Sequence, residues 1–313
     1  MSKEAASRIV FLGSGAFGIP TLESLHEQGS IRLVVTQPDR PAGRGRESTP
    51  TPIAQRAEQL GLQVRRTSDV NSPEDIRHVR SVEPDAMVIV AFGQKLGDEL
   101  LENVFSINLH ASLLPRWRGA APINWSIIAQ DPDVGVSVIS IASRMDAGLV
   151  YATRSTWRDP METAGQLHDR LASMGPEVIQ SVLQQQVDGS LQGEPQDESM
   201  VTQAGKLSRA DSSIDFTKEA DTVQARIHGL VPWPGCSIGL GGSRLSLLLV
   251  ETVMDGFDRD TAPGTYIGDG LITCGGGAIR MIQVKAPGKR AMGFSEYAHG
   301  HQVPPGTLVE DPG

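Results

Sequence analysis

The chain has 313 residues, with 34 Gly, 20 Pro and 39% apolar side chains; with Gly added, about half is apolar, which excludes collagen-like, coiled-coil and wholly disordered chains. A net charge of −9 excludes the strongly basic surface of a wholesale nucleic-acid binder. No run of about 18 apolar residues could span a membrane, and two distant cysteines, Cys236 and Cys274, offer neither a disulfide framework nor a zinc site.

The polar start, residues 1–7, lacks the basic and apolar regions of a signal peptide, so a cytoplasmic location is expected. Apolar runs at Arg8–Leu12, Arg32–Thr36, Ala86–Ala91, Ser106–Leu109 and Val134–Ile141 predict strands. Amphipathic stretches at Ile19–Gln28, Pro52–Leu60, Pro73–Val82 and Gly97–Asn103 predict the helices between them, two of them opening on Pro. This alternation predicts an α/β domain, a mostly parallel sheet with helices on both faces, whose ligands bind at the carboxyl ends of strands. A longer helix is expected from a Thr163 cap to about Gln186, then a polar linker rich in Gly and Pro. Beyond it lie a short helix (Glu219–His228) and short apolar runs parted by Gly, at Ser237–Leu240, Arg244–Val250, Gly264–Ile267, Leu271–Cys274 and Ala278–Val284. These predict a small C-terminal antiparallel β-barrel. The expected division is 1–189, a linker at 190–205, and 206–313. The last part is the less acidic, with 10 Lys/Arg against 12 Asp/Glu in residues 205–313.

Gly13-Ser14-Gly15-Ala16-Phe17-Gly18 has the form G-x-G-x-x-G after a strand and before a helix, the setting of a dinucleotide fingerprint. The acid that should end the second strand is missing: Gln37 stands there, and Asp39 follows a Pro. The glycines then serve a tight strand–helix turn, and a dinucleotide-dependent oxidoreductase becomes the weaker reading.

The strand Ser106–Leu109 runs into NLHASLLPRWRGAAP. Asn108 and His110 lie two apart, on one face of the strand at its carboxyl end. An amide and an imidazole side by side can both donate to an oxygen that becomes negative when a carbonyl is attacked. A carboxylate to handle protons is supplied by Asp146, in the turn Arg144–Gly148; an ordinary Asp-x-Gly turn is the competing reading. Ser112 has no nucleophile elbow around it and reads as a hydrogen-bonding loop residue. No spacing suits a metal.

The run NLHASLLPRWRGAAPI resembles the signature of methionyl-tRNA formyltransferases. FLGSGAFGIPTLESL, VTQPDRPAGRGR, VIVAFGQKL, MDAGLVY, KLSRADSSIDF and VPWPGCSIGL resemble the same family along most of the chain. Asn-x-His with SLLP is shared with formyltransferases that act on small amines such as amino sugar nucleotides, which is the alternative. The resemblance implies a Rossmann-like N-terminal domain and an OB-like C-terminal barrel. It implies formyl transfer from 10-formyltetrahydrofolate to initiator methionyl-tRNA for translation initiation, without a metal, by a monomer. It carries catalytic roles to Asn108, His110 and Asp146. It puts folate against Phe92, Gly93, Gln94, Lys95 and Leu96, and against Ser112, Leu113, Leu114 and Pro115. Contacts to tRNA fall to Arg40, Arg44 and Arg46 in the QPDRPAGRGR loop, and to Lys206, Arg209, Lys289 and Arg290 near the barrel. That loop continues Glu47-Ser48-Thr49, where the family has further lysines.

Overall fold

Continuous apolar runs become strands buried on both faces. In the computed structural model, which describes residues 8–42, 47–258 and 260–310, the chain first forms β1 (Ile9–Gly13), α1 (Ile19–Glu27), β2 (Ile31–Thr36), the hairpin β3 (Arg40–Ala42) and β4 (Glu47–Thr49), α2 (Pro52–Gln59), β5 (Val64–Arg66), α3 (Pro73–Ser81) and β6 (Ala86–Val90). It continues through α4 (Asp98–Leu101), β7 (Phe105–His110), β8 (Arg118–Gly119), α5 (Pro122–Ile128), β9 (Asp133–Ser140), β10 (Val150–Trp157) and α6 (Ala164–Val187). Seven of these strands form one sheet in the order β10-β9-β7-β6-β1-β2-β5. β2, β1, β6 and β7 pair in parallel, with β5 parallel beside β2 and β9 antiparallel beside β7. All residues of β1 and β6 are buried, which is why IVFLG and AMVIV show no polar alternation. The chain winds outward in both directions from the β1–β6 boundary, the switch point where ligands enter such sheets. The expected Rossmann-like α/β arrangement is present.

Helix starts follow the expected chemistry. Thr51 and Ser72 cap α2 and α3 by accepting from the N–H groups of Ala54 and Asp75, each with Pro in the first turn. Before α6, Thr163 and Gln166 cap each other, Thr163 N–H on Gln166 Oε1 (2.9 Å) and Gln166 N–H on Thr163 Oγ1 (3.4 Å).

The last third forms β11 (Gln203–Ala204), α7 (Ala220–Leu230), β12 (Cys236–Leu240), β13 (Ser243–Val253), β14 (Thr265–Gly268), β15 (Leu271–Thr273), β16 (Ala278–Lys285), β17 (Met292–Gly293), α8 (Phe294–Gly300) and β18 (Thr307–Leu308). Its sheet runs β12-β13-β16-β15-β14-β18, with β17 beside β16. Gly239 and Glu310 exchange backbone hydrogen bonds of 2.8 and 3.0 Å, which nearly close this antiparallel sheet into the expected OB-like barrel. Its core includes Ile227, Leu230, Ile238, Leu247, Val250 and Ile279. Burial pushes the thiols of Cys236 and Cys274 up to about 12, so both act as small apolar side chains.

The chain falls into two compact units, Met1–Arg118 with Gly135–Ser155 and His168–Thr202, and Gly119–Val134 with Thr156–Leu167 and Gln203–Gly313. In the second unit, α7 places His228 fully inside. Its Nε2 accepts from Val250 N–H (3.1 Å) and its Nδ1 donates to the Pro160 carbonyl (3.3 Å), a pairing that only the neutral ring satisfies. Burial holds the ring below the ordinary histidine range, against the upward pull of its hydrogen bond to the Pro160 carbonyl; Arg158 lowers it further and Asp159 opposes. The unfolded chain therefore binds the extra proton first. The stability this ring contributes is complete above about pH 6.5 and is lost as pH falls from there toward the depressed folded value. Urea midpoints measured from pH 7.5 to 5.5 are expected to fall more steeply for the wild type than for His228→Gln; equal slopes would contradict this.

Candidate active site

β7 ends at the sheet's carboxyl edge, and its neighbour β6 pairs Ile89 with Asn108 and Val90 with Leu109. Asn108 is half-buried, and among the described residues its side-chain amide has no hydrogen-bond partner. His110, 6% exposed, is held on one edge: its Nε2 lies 2.9 Å from the Trp117 carbonyl oxygen. A carbonyl can only accept, so Nε2 carries a proton and donates. The other edge, Nδ1, faces Asp146 Oδ2 at 3.6 Å. That is longer than a good hydrogen bond but within reach of an ion pair, on side chains 7% and 14% exposed.

The loop between β7 and β8 is tied to itself and to β9. Ser112 is buried; its Oγ donates to the Arg116 carbonyl (2.6 Å), and its own carbonyl accepts from Ser137 Oγ (2.7 Å). Ser137 Oγ also accepts from Leu114 N–H (3.1 Å). Trp117 has φ +63°, and its N–H donates to Thr202 Oγ1 (2.8 Å). This unusual backbone turns the Trp117 carbonyl onto His110. Leu114 is buried, while Leu113 and Pro115 are half-buried.

Asp146 sits in the loop between β9 and β10 with φ +53°, a conformation that Asp and Asn adopt more readily than most residues. Gly148 is required two positions on: a Cβ there would lie 1.8 Å from the Ser140 carbonyl oxygen. That close approach lets Ser140 N–H bond Leu149 O (2.9 Å) and Leu149 N–H bond Ser140 Oγ (2.8 Å), closing the loop. The loop begins at Ile141, which packs on the buried cluster that contains Phe92 and Leu96.

The segment after β6 turns its side chains inward. Phe92 and Leu96 are in the core. Gln94 bridges, accepting from Val70 N–H (2.9 Å) and donating to the Thr67 carbonyl (2.8 Å). Ala91, Gly93 and Lys95 remain exposed, so a ligand here meets mostly backbone. An amide without a partner and the Nδ1 edge of an imidazole, next to a carboxylate at the carboxyl ends of β6 and β7, form the donor set that a formyl oxygen needs. The residues present therefore fit a formyl donor.

The glycine-rich turn holds no phosphate cradle. The Ala91 carbonyl already accepts from Ser14 N–H (3.2 Å) and Gly15 N–H (3.3 Å), the groups a pyrophosphate would use. A Cβ on Gly13 would meet Phe11 at 2.7 Å, and one on Gly18 would meet Phe11 and Ile53 at 3.1 and 3.2 Å. These glycines are small because strand and helix approach closely, and Gln37, in the acid's place, donates to the Phe92 carbonyl (2.9 Å).

Of the basic residues, Arg40 is exposed and bonds Gln37, while Arg44 and Arg46 lie outside the described residues. Lys206 and Arg209 are exposed ahead of α7. Lys289 and Arg290 are exposed in the turn between β16 and β17, with Arg290 3.2 Å from Glu296. Among the described residues no group of His, Cys, Asp and Glu could hold a metal, and no helix is long and apolar enough to cross a membrane.

Sequence reasoning missed three groups that build this site: the Trp117 carbonyl, Arg118 and Gln196. Gln196 grips the Asp146 loop and Arg118 anchors Gln196, yet Gln196 lies in a polar stretch with no periodicity to single it out.

Comparison with known proteins agrees with the geometry. Residues 7–183 match the formyl transferase family and residues 206–302 its C-terminal domain. The methionyl-tRNA formyltransferase of Geotalea uraniireducens is 37% identical over 312 residues, 97% of this chain and 98% of the relative. That of Methylococcus capsulatus is 39% identical over 302 residues, 95% and 97% of the two chains. An N-formyltransferase from Helicobacter canadensis, solved with folinic acid and dTDP-3-aminofucose, superposes with a TM-score of 0.65 at 13% identity over 87% of this chain and 98% of that one, a likeness of fold. With full-length relatives at this identity and both domains matched, the chain belongs to the methionyl-tRNA formyltransferase family.

Proposed function

We propose that this chain transfers the formyl group of 10-formyltetrahydrofolate to the α-amino group of initiator methionyl-tRNA, with Asn108, His110 and Asp146 as the catalytic residues. The observation that carries this reading is the unpartnered Asn108 amide beside a His110 ring with its Nε2 on the Trp117 carbonyl and its Nδ1 toward Asp146 at 3.6 Å. Residues 1–189 hold the chemistry, 190–205 connect, and 206–313 receive the tRNA; the protein acts in the cytoplasm as a monomer.

The folate co-substrate supplies an activated formyl carbon, with Phe92–Leu96 and Ser112–Pro115 beside its pterin end. Since Nε2 is committed to Trp117, the edge of His110 that serves the reaction is Nδ1. Asn108 Nδ2 and His110 Nδ1–H donate to the formyl oxygen as it gains negative charge. With a proton on both nitrogens the ring is an imidazolium, and the ionised Asp146 beside it balances that charge. Asp146 takes the proton that the attacking amine gives up, directly or through one water, and can return it to the departing nitrogen. The aminoacyl ester keeps the α-amine less basic, so a useful fraction is neutral near pH 7.

Arg40, Arg44 and Arg46 in the 40–46 loop, with Lys206, Arg209, Lys289 and Arg290, supply cations for tRNA phosphates. Replacing Lys289 and Arg290 together by Ala is expected to raise KM for charged tRNA with little change for folate. It should also make the salt slope of tRNA affinity shallower by about 2, near 1 for each phosphate no longer neutralised. An unchanged slope would remove this turn from the interface.

The acceptor is tested by supplying 10-formyltetrahydrofolate with either charged initiator tRNA or a dTDP-amino sugar. Formylation of the aminoacyl-tRNA alone supports the reading. Preferred formylation of the sugar would replace it with the small-amine alternative.

A further inference from the structure

Gln196 makes four hydrogen bonds with its side-chain amide. Nε2 donates to the Asp146 carbonyl (2.8 Å) and to the Gly148 carbonyl (2.8 Å). Oε1 accepts from Arg118 Nε (2.9 Å) and Arg118 Nη2 (2.8 Å). The orientation of the amide is unambiguous, because the two carbonyls only accept and the guanidinium only donates. Arg118 is buried, with a side chain 5% exposed, and Glu198 Oε1 joins it (3.0 Å) to Arg144 (2.8 Å) in the same loop. Glu198 is held below the usual carboxylate range by its hydrogen bonds to Arg118 and Arg144, so the link is charged at neutral pH. Residues 196–198 thus grip the Asp146 loop at three points, and their anchor is Arg118, the neighbour of the residue whose carbonyl holds His110.

We propose that Gln196, anchored by Arg118, is a positioning residue for Asp146: it fixes the left-handed turn that aims the carboxylate at His110 Nδ1. The inference rests on the role given to Asp146 above. A residue in left-handed backbone is held there only when its surroundings impose it. Here the two carbonyls pinned by Gln196 are that of Asp146 itself and that of Gly148, two residues on. Gln196 touches neither reacting atom in this account; it acts through the backbone of Asp146.

The test is single-turnover formyl transfer by the full chain, with Gln196→Met introduced alone and in an Asp146→Asn background. Met keeps the length and bulk of Gln but has no donor. Alone, it should lower the rate of transfer at least tenfold, since misplacement of a reacting group by about 1 Å can cost about 10². KM for folate and for tRNA should stay near the wild-type values. In the Asp146→Asn background the same change should cost little, because no carboxylate remains to be aimed. A merely structural role would cost the same factor in both backgrounds, and that result, or a wild-type rate for Gln196→Met, overturns the proposal. If Gln196→Met fails to fold, Gln196→Glu, which keeps an acceptor for Arg118 but cannot donate to the two carbonyls, gives the same comparison with the same two readings. Absence of formyl product from the wild-type chain would instead refute the activity itself.

Discussion

Asp146→Asn is expected to lower kcat by about 10² to 10⁴, the range that a positioned proton acceptor contributes. The substitution is clean on three grounds. Asn has the size of Asp, and it tolerates the φ of +53° that position 146 requires. The bonds that Gln196 makes at this loop are to backbone carbonyls, so they survive the change. What is lost is the charge beside His110 Nδ1 at 3.6 Å and the ability to take a proton. Folate binding, measured by intrinsic tryptophan fluorescence, should therefore hardly move while turnover collapses. A kcat within a few-fold of wild type would take the proton-accepting role away from Asp146.

Asn108→Ala is expected to lower kcat by about 10² to 10³, the cost of losing one donor to a developing oxyanion. The side chain is half-buried and has no hydrogen-bond partner among the described residues, so its removal orphans no protein group. Stability should change little, within the range of about 0.5 kcal/mol found for substitutions of this kind. The sign of a second substitution is more telling. Asn108→Asp keeps the shape but sets negative charge where negative charge develops, so its kcat should fall below that of Asn108→Ala. If Asn108→Asp were the more active of the two, no negative oxygen forms against this side chain, and the role assigned to the amide fails.

Much of the fold is legible in the sequence because its cause is local. AMVIV and IVFLG are strands buried on both faces, and burial on both faces needs an unbroken apolar run. Thr51, Ser72 and Thr163 begin helices because each caps the next turn. The elements that sequence reasoning passed over are polar or short. β5 reads VRR, an edge strand whose arginines pair with Asp75 and Asp39, and α8 is seven residues following a glycine. In the site, Asn108 and His110 are legible because the period of a strand puts them on one face. Asp146 is legible only as a turn, since nothing in its neighbourhood tells that β9 runs antiparallel beside β7 and returns the chain to His110. Trp117 acts through a carbonyl, which every residue has, and Gln196 through an amide in a polar stretch. Neither leaves a mark in composition or spacing.

The most direct measurement incubates the purified chain with charged initiator tRNA and 10-formyltetrahydrofolate, hydrolyses the ester, and separates methionine from formylmethionine. Formylmethionine should accumulate over repeated turnovers with wild type and drop to a trace when His110, the hub between the Trp117 carbonyl and Asp146, is replaced by Ala. Free methionine alone from the wild-type chain, or equal formylmethionine from both proteins, would contradict this.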